Sequence, residues 1–161
     1  MMTGYLLARA GVDVVVLEKH ADFNRDFRGD TIHPSTLDLV YELGLLDEFL
    51  KLPHQEFSQL KGIFNGRVVP MADFSRLPTH CKLIAFMPQW DFLNFFSAEA
   101  RRFPSFVLQM EHEVVDLIFD QQRVAGVLVN TPDGVRDFRA VLILGADGRH
   151  ALTHTLAGFQ I

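Results

Sequence analysis

The stretch Val12-Asp13-Val14-Val15-Val16-Leu17-Glu18 constrains the fold more than any other part of the chain. Val14 to Leu17 is an unbroken apolar run, rich in β-branched residues, with no alternation of polar and apolar positions. Such a run predicts a strand covered on both faces, the mark of a parallel sheet. Parallel neighbours need a crossover between them, usually a helix. The preceding residues supply one. Tyr5, Leu6 and Ala8 to Ala10 are helix formers, and Gly11 stands where a left-handed helix terminus is expected. A helix, a glycine and a doubly covered strand imply an earlier strand. The expectation is a chain that starts inside or at the beginning of a crossover helix, within a larger domain.

Composition narrows the class. At 161 residues the chain has the length of one domain or of part of one. Its 48% hydrophobic and 22% charged residues fit a packed core and exclude a disordered or collagen-like chain. The longest apolar runs, Val14 to Leu17 and Ala140 to Ala146, fall short of the ~20 residues of a membrane span. The net charge of -5, without a basic stripe, argues against nucleic acid as a partner. The single cysteine, Cys81, excludes an internal disulfide and a multi-cysteine zinc site. It fits a reducing compartment, and the start lacks the basic and apolar regions of a signal peptide, so a cytoplasmic setting is expected.

Residues 19 to 33 read as loop. Pro34 opens a helix over Ser35 to Leu43, which Gly44 ends, and Leu45 to Leu50 forms a short second one. Asn65-Gly66 predicts a hairpin between Gly62-Ile63-Phe64 and Arg67-Val68-Val69. Residues 70 to 83 read as irregular, and Trp90 to Phe103 as an amphipathic helix with Asp91 in its first turn. Strands are predicted over Phe106 to Gln109, Val114 to Phe119 and Arg123 to Asn130. The turn Thr131-Pro132-Asp133-Gly134 follows. Ala140 to Leu144 reads as a second covered strand, followed by Gly145-Ala146-Asp147-Gly148 and a helix from Arg149 to Ala157.

Four places carry candidate chemistry. Glu18 ends a predicted parallel strand, where a carboxylate accepts hydrogen bonds from the ribose diol of a dinucleotide. On this feature alone a solvated strand-end residue is the commoner reading. Asp147-Gly148 opens a helix at the carboxyl end of a strand, where backbone approaches an anion closely; alternatively, Asp147 simply caps that helix. Arg28, before the Pro34 helix, suits a phosphate or an ion pair with Asp26 or Asp30. Gln89, before the Trp90 helix, is a hydrogen-bonding residue for a polar ligand or a solvated loop residue. His150 and His154 lie one helical turn apart, a spacing too common to assign a metal, and no metal site is expected. No G-x-S-x-G elbow is present, so serine hydrolysis has no support.

The order of these features resembles the FAD-binding half of the para-hydroxybenzoate hydroxylase family of flavin-dependent aromatic-ring monooxygenases. The Gly145-Ala146-Asp147-Gly148-Arg149-His150 run and the block Arg28 to Leu46 are its most specific parts. The resemblance implies an α/β, three-layer FAD-binding (Rossmann-like) fold with an inserted antiparallel β element and its first strand missing. Residues 1–161 would form a partial FAD-binding domain, truncated at both ends, with 55–86 contributing to the substrate-side sheet. Glu18, with Lys19 beside it, would bind the adenosine ribose of FAD. Arg28 and Gln89 would contact the pyrophosphate and ribityl region, and the backbone around Val114 the adenine edge. Asp147 and Gly148 would lie near the ribose and pyrophosphate, in an element also implicated in NAD(P)H use.

The implied activity is hydroxylation of an aromatic or related small molecule with NAD(P)H and dioxygen, the flavin carrying the chemistry. No catalytic side chain is assigned, and the sequence leaves a homo-oligomer open. Three departures stand out. The G-x-G-x-x-G turn and its strand are absent before Met1. Ala151 and His154 stand where the family usually has Ser and Arg. A second flavin-binding element is absent after the Asp-Gly run. A chain so cut is expected to be unstable alone and to bind FAD poorly. A dehydrogenase or epoxidase of the same fold, or a non-catalytic remnant without cofactor, are the alternatives. A halogenase would need further Trp and Lys motifs. A nicotinamide-dependent Rossmann dehydrogenase uses Glu18 equally well but leaves the Ile63 to Val69 hairpin unexplained.

Overall fold

The structure, a computed structural model, describes residues 1–24, 30–148 and 152–158. The chain begins with α1 (Met2–Arg9) and β1 (Val14–Glu18), then β2 (Thr31–Ile32), α2 (Pro34–Glu42) and α3 (Leu46–Phe49). Next come β3 (Gln55–Phe57), β4 (Gln59–Phe64), β5 (Arg67–Asp73), β6 (Ile84–Phe86) and α4 (Gln89–Ala100). It closes with β7 (Phe106–Met110), β8 (Glu113–Asp120), β9 (Arg123–Thr131), β10 (Gly134–Arg139) and α5 (Leu152–Leu156). Two compact units result: Met1–Asp22 with Glu99–Ile161, and Phe23–Ala98.

In the first unit β1 pairs in parallel with β7, Val14 opposite Phe106 and Glu18 opposite Met110. The parallel strand predicted from the valine run is therefore present, trimmed by two residues at its start. α1 ends as expected at Gly11, whose φ of 77° needs no Cβ. It lies tightly on the strand pair: a Cβ on Gly4 would stand 2.6 Å from Val16 Cγ2 and 3.1 Å from the Phe106 ring. Ser105 Oγ donates to the Ala8 carbonyl at 3.1 Å, and Tyr5 meets Phe103 edge to face at 5.8 Å. A separate antiparallel sheet has the order β10-β9-β8. Its core is Leu117, Val127 and Val129, against which Leu17, Val114, Ile143, Leu156 and Ala157 pack.

Ala140 to Leu144, predicted as a covered strand, forms none. The segment hydrogen-bonds at Ala140 N to the Ala125 carbonyl and packs through Ile143. Val141 is 89% exposed and Leu142 70%. Apolar sequence reports a wish for burial, but a strand also needs a ladder partner, and none pairs with it among the described residues.

In the second unit α2 carries Pro34 in its first turn and buries Leu37 and Val40. An aromatic core forms around Phe49, which meets Phe92 at 5.8 Å and Phe95 at 5.2 Å, both edge to face. A small sheet has the order β2-β6-β3. β2 falls in the stretch expected to be loop, and such two- and three-residue strands have no periodicity to read. The β4–β5 hairpin turns at Asn65 and Gly66, both with positive φ, as the Asn-Gly pair predicts. β5 runs to Asp73, four residues into the stretch expected to be irregular. α4 begins one residue earlier than expected and ends at Ala100 rather than Phe103.

Candidate functional site

The carboxyl end of β1 places Glu18. Its Oε1 accepts the His20 backbone N–H at 3.0 Å, which orients the carboxylate over the strand end. The strand pair continues as backbone contacts beyond Glu18. His112 N–H donates to the Glu18 carbonyl at 2.9 Å and Glu111 N–H to the His20 carbonyl at 3.0 Å. An acidic side chain thus stands at the carboxyl end of a parallel strand, where a dinucleotide ribose is commonly bound. Lys19, the next residue, is exposed.

Val114 opens the second feature. It lies in β8, the outer strand of its sheet among the described residues. The register jumps from Val114 opposite Val129 to Asp116 opposite Leu128, so Val115 bulges out of the ladder. An outer strand with a bulge presents backbone donors and acceptors sideways, which is what the edge of a purine ring needs.

Asp147 and Gly148 form the third. Asp147 accepts the Thr153 hydroxyl at 2.7 Å on Oδ1 and the Thr153 N–H at 3.1 Å on Oδ2. Burial pushes its carboxyl up, but the Thr153 hydroxyl and amide bonds, with the Asp147 and Leu152 backbone bonds, outweigh that and hold it below the ordinary range. Gly148 has a φ of 92°, and a Cβ there would meet nothing within 4 Å, so its outer side is open.

Leu17, Val114 and Ile143 pack on the same apolar cluster, together with Leu156 of α5. One core therefore gathers Glu18, Val114 and the Asp147-Gly148 turn around its margin. Gln89 is the first residue of α4 and is half-buried in the other unit. Arg28 lies outside the described residues, as do Arg149, His150 and Ala151. Sequence reasoning missed Thr153. A hydroxyl residue near the start of a predicted helix, six residues after the aspartate of Asp-Gly, was the available signal.

These features suit FAD. A carboxylate matches a ribose diol, an open strand edge matches adenine, and an uncluttered glycine turn admits a phosphate backbone. Together they define a nucleotide-binding α/β unit. The chain belongs to the FAD binding domain family, which it matches over residues 1–161, and FAD is the cofactor of that family. It is 27% identical to 6-methylpretetramide 4-monooxygenase of Streptomyces rimosus, over 95% of this chain and 37% of that protein. It is 28% identical to rifampicin monooxygenase of Streptomyces venezuelae, over 97% of this chain and 32% of that protein. The crystal structure of p-nitrophenol 4-monooxygenase PnpA from Pseudomonas putida superposes with a TM-score of 0.86. That match is 24% identical and covers 98% of this chain and 40% of that one. The chain spans about a third of the length of the curated relatives it matches.

Among the described residues no helix is long and apolar enough to cross a membrane.

Proposed function

We propose that this chain is the FAD-binding portion of a flavin-dependent monooxygenase, which hydroxylates an aromatic or related small molecule using NAD(P)H and dioxygen. In this reading residues 1–161 are part of a longer three-layer FAD-binding fold, and 55–86, with their inserted hairpin, contribute to the substrate-side sheet. The observation that carries it is Glu18, held by the His20 N–H at the carboxyl end of a parallel strand. The two curated relatives, a 6-methylpretetramide 4-monooxygenase and a rifampicin monooxygenase, support the reaction class. A cytoplasmic setting goes with the reading and is supported by the single, buried cysteine.

FAD, when bound, supplies redox chemistry toward dioxygen. The protein binds, orients and shields it. Glu18 would accept hydrogen bonds from the adenosine ribose, with Lys19 beside it. The backbone around Val114 would meet the adenine edge. Gln89 and Arg28 would serve the pyrophosphate and ribityl region, and the Asp147-Gly148 turn would lie near ribose and pyrophosphate. No side chain of this chain is assigned to the chemical step.

Two measurements test the reading. The coding sequence upstream of Met1, in frame, is expected to encode a short apolar strand ending in G-x-G-x-x-G. A stop codon immediately upstream would overturn the fragment reading. In the protein so extended, Glu18→Ala is expected to weaken FAD binding about tenfold or more, since a charged hydrogen-bond pair contributes ~1.5–3 kcal/mol. Unchanged affinity would remove the ribose role. A non-catalytic remnant is the second reading. Ala151 and His154, standing where the family usually has Ser and Arg, are compatible with it. Stoichiometric FAD with NAD(P)H oxidation would exclude it.

A further inference from the structure

One residue, Thr153, satisfies both oxygens of one carboxylate, Asp147. Its surroundings are built for this contact. A Cβ on Gly145 would run into the Thr153 hydroxyl, so only glycine leaves room for the hydroxyl to reach across. A threonine in a helix ordinarily turns its hydroxyl back onto its own helix; here it points to the turn instead. The helix it comes from is anchored. Leu156 and Ala157 pack on the Leu117, Val127 and Val129 cluster, and the Ala157 N–H donates to the Thr153 carbonyl at 3.0 Å. The contact therefore ties an exposed glycine-rich turn to a helix seated on the core.

We infer that Thr153 is a positioning residue for FAD: it clamps the Asp147 carboxylate, and Asp147 serves the cofactor by holding the 145–148 turn in shape rather than as a side-chain ligand. The inference rests on the FAD-binding reading above. It assigns Asp147 and Thr153 one shared task, so removing either member has the effect of removing both.

Two arms test it. In the extended protein stripped of flavin, the Asp147 carboxyl is titrated by carbon-13 NMR. Thr153→Val, close in shape but without the hydroxyl, is expected to raise its midpoint toward that of an ordinary aspartate. Thr153→Ser, which retains both donors, is expected to titrate like the unsubstituted chain. A serine variant that behaves like valine, or a valine variant that leaves the titration unchanged, overturns the clamp. In the flavin-loaded, extended protein, FAD affinity is measured for Thr153→Val, Asp147→Asn and the double variant. Each single change is expected to weaken binding roughly three- to tenfold, and the double no further. An Asp147→Asn loss much larger than the Thr153→Val loss, adding in the double variant, makes Asp147 a direct ligand and overturns the inference. Absence of FAD binding by the unsubstituted protein overturns the functional reading and this role with it, whereas an unchanged titration overturns the clamp alone.

Discussion

Gly4 has almost no room to become anything else. A methyl there meets Val16 Cγ2 at 2.6 Å, on a β-branched side chain with little rotamer freedom. Alanine gains ~1 kcal/mol of helix propensity, but overpacking costs typically ~1–3 kcal/mol. Gly4→Ala is therefore expected to lower stability, read as a lower urea midpoint. His54 has a different constraint. Its Nδ1 stands 2.7 Å from the Leu52 carbonyl and its Nε2 3.1 Å from Glu56 Oε1. Both partners are acceptors with Glu56 ionised, so both ring nitrogens are satisfied only in the imidazolium form. The Leu52 bond, and then Glu56, raise its pKa above the ordinary 6.5 against the opposing effect of burial. A raised folded pKa means stability fully present below about pH 6.5 and lost as pH climbs through the folded value. His54→Gln is expected to flatten that part of the stability–pH curve, measured by denaturation at several pH values. Cys81 is 7% exposed, and burial, with Asp38 and Glu56 nearby, pushes its thiol up. It is expected to react with a thiol reagent at neutral pH far more slowly folded than in denaturant. None of these three roles was legible in the sequence, because each depends on what a distant or bent-back segment brings into contact.

Elements were more legible where their signal is local. The Asn65-Gly66 turn needs positive φ at both residues, and its residue types announce that requirement. The strands of the β8–β9 hairpin were readable too, but not the positive φ of 57° at Gln121 in its turn, which no residue type there announces. The valine run gave β1 and the correct parallel pairing, though not its partner, β7, far along the chain. Ala140 to Leu144 misled for the same reason. Its apolar run looks like β1, and only the absence of a ladder partner among the described residues distinguishes the two. Gly126 shows how closely β9 and β10 approach: a Cβ there would collide with the Phe138 carbonyl, with the Arg139 Cα at 3.1 Å. Backbone does not swing aside as a side-chain tip does. Gly126→Ala is therefore expected to loosen β10, costing ~1–3 kcal/mol, with faster amide exchange along residues 134–139 as the diagnostic.

At the scale of the whole chain the α/β character and the flavin family were legible from the order of weak signals, none sufficient alone. Of the candidate site, Val114 packs on the core that Leu17, next to Glu18, and Ile143, four residues before Asp147, also reach. Gln89 belongs to the other unit and Arg28 lies outside the described residues. Apolar side chains at Val15, Val107, Val141, Leu142 and Leu144 remain exposed in the first unit. The isolated chain is accordingly expected to bind a hydrophobic dye in the folded state, and an extended protein to bind less. The first unit is also assembled from both ends of the chain, since β1 pairs with β7 across the whole intervening sequence. During synthesis Val14 leaves the ribosome long before Phe106 exists. At ~5–20 residues per second that interval is roughly 5–20 s, far longer than a helix or hairpin takes to form. The inserted unit has time to fold while β1 waits as an unpaired valine-rich strand, so the stretch that most defines the fold is also the one most exposed to wrong partners while it is being made.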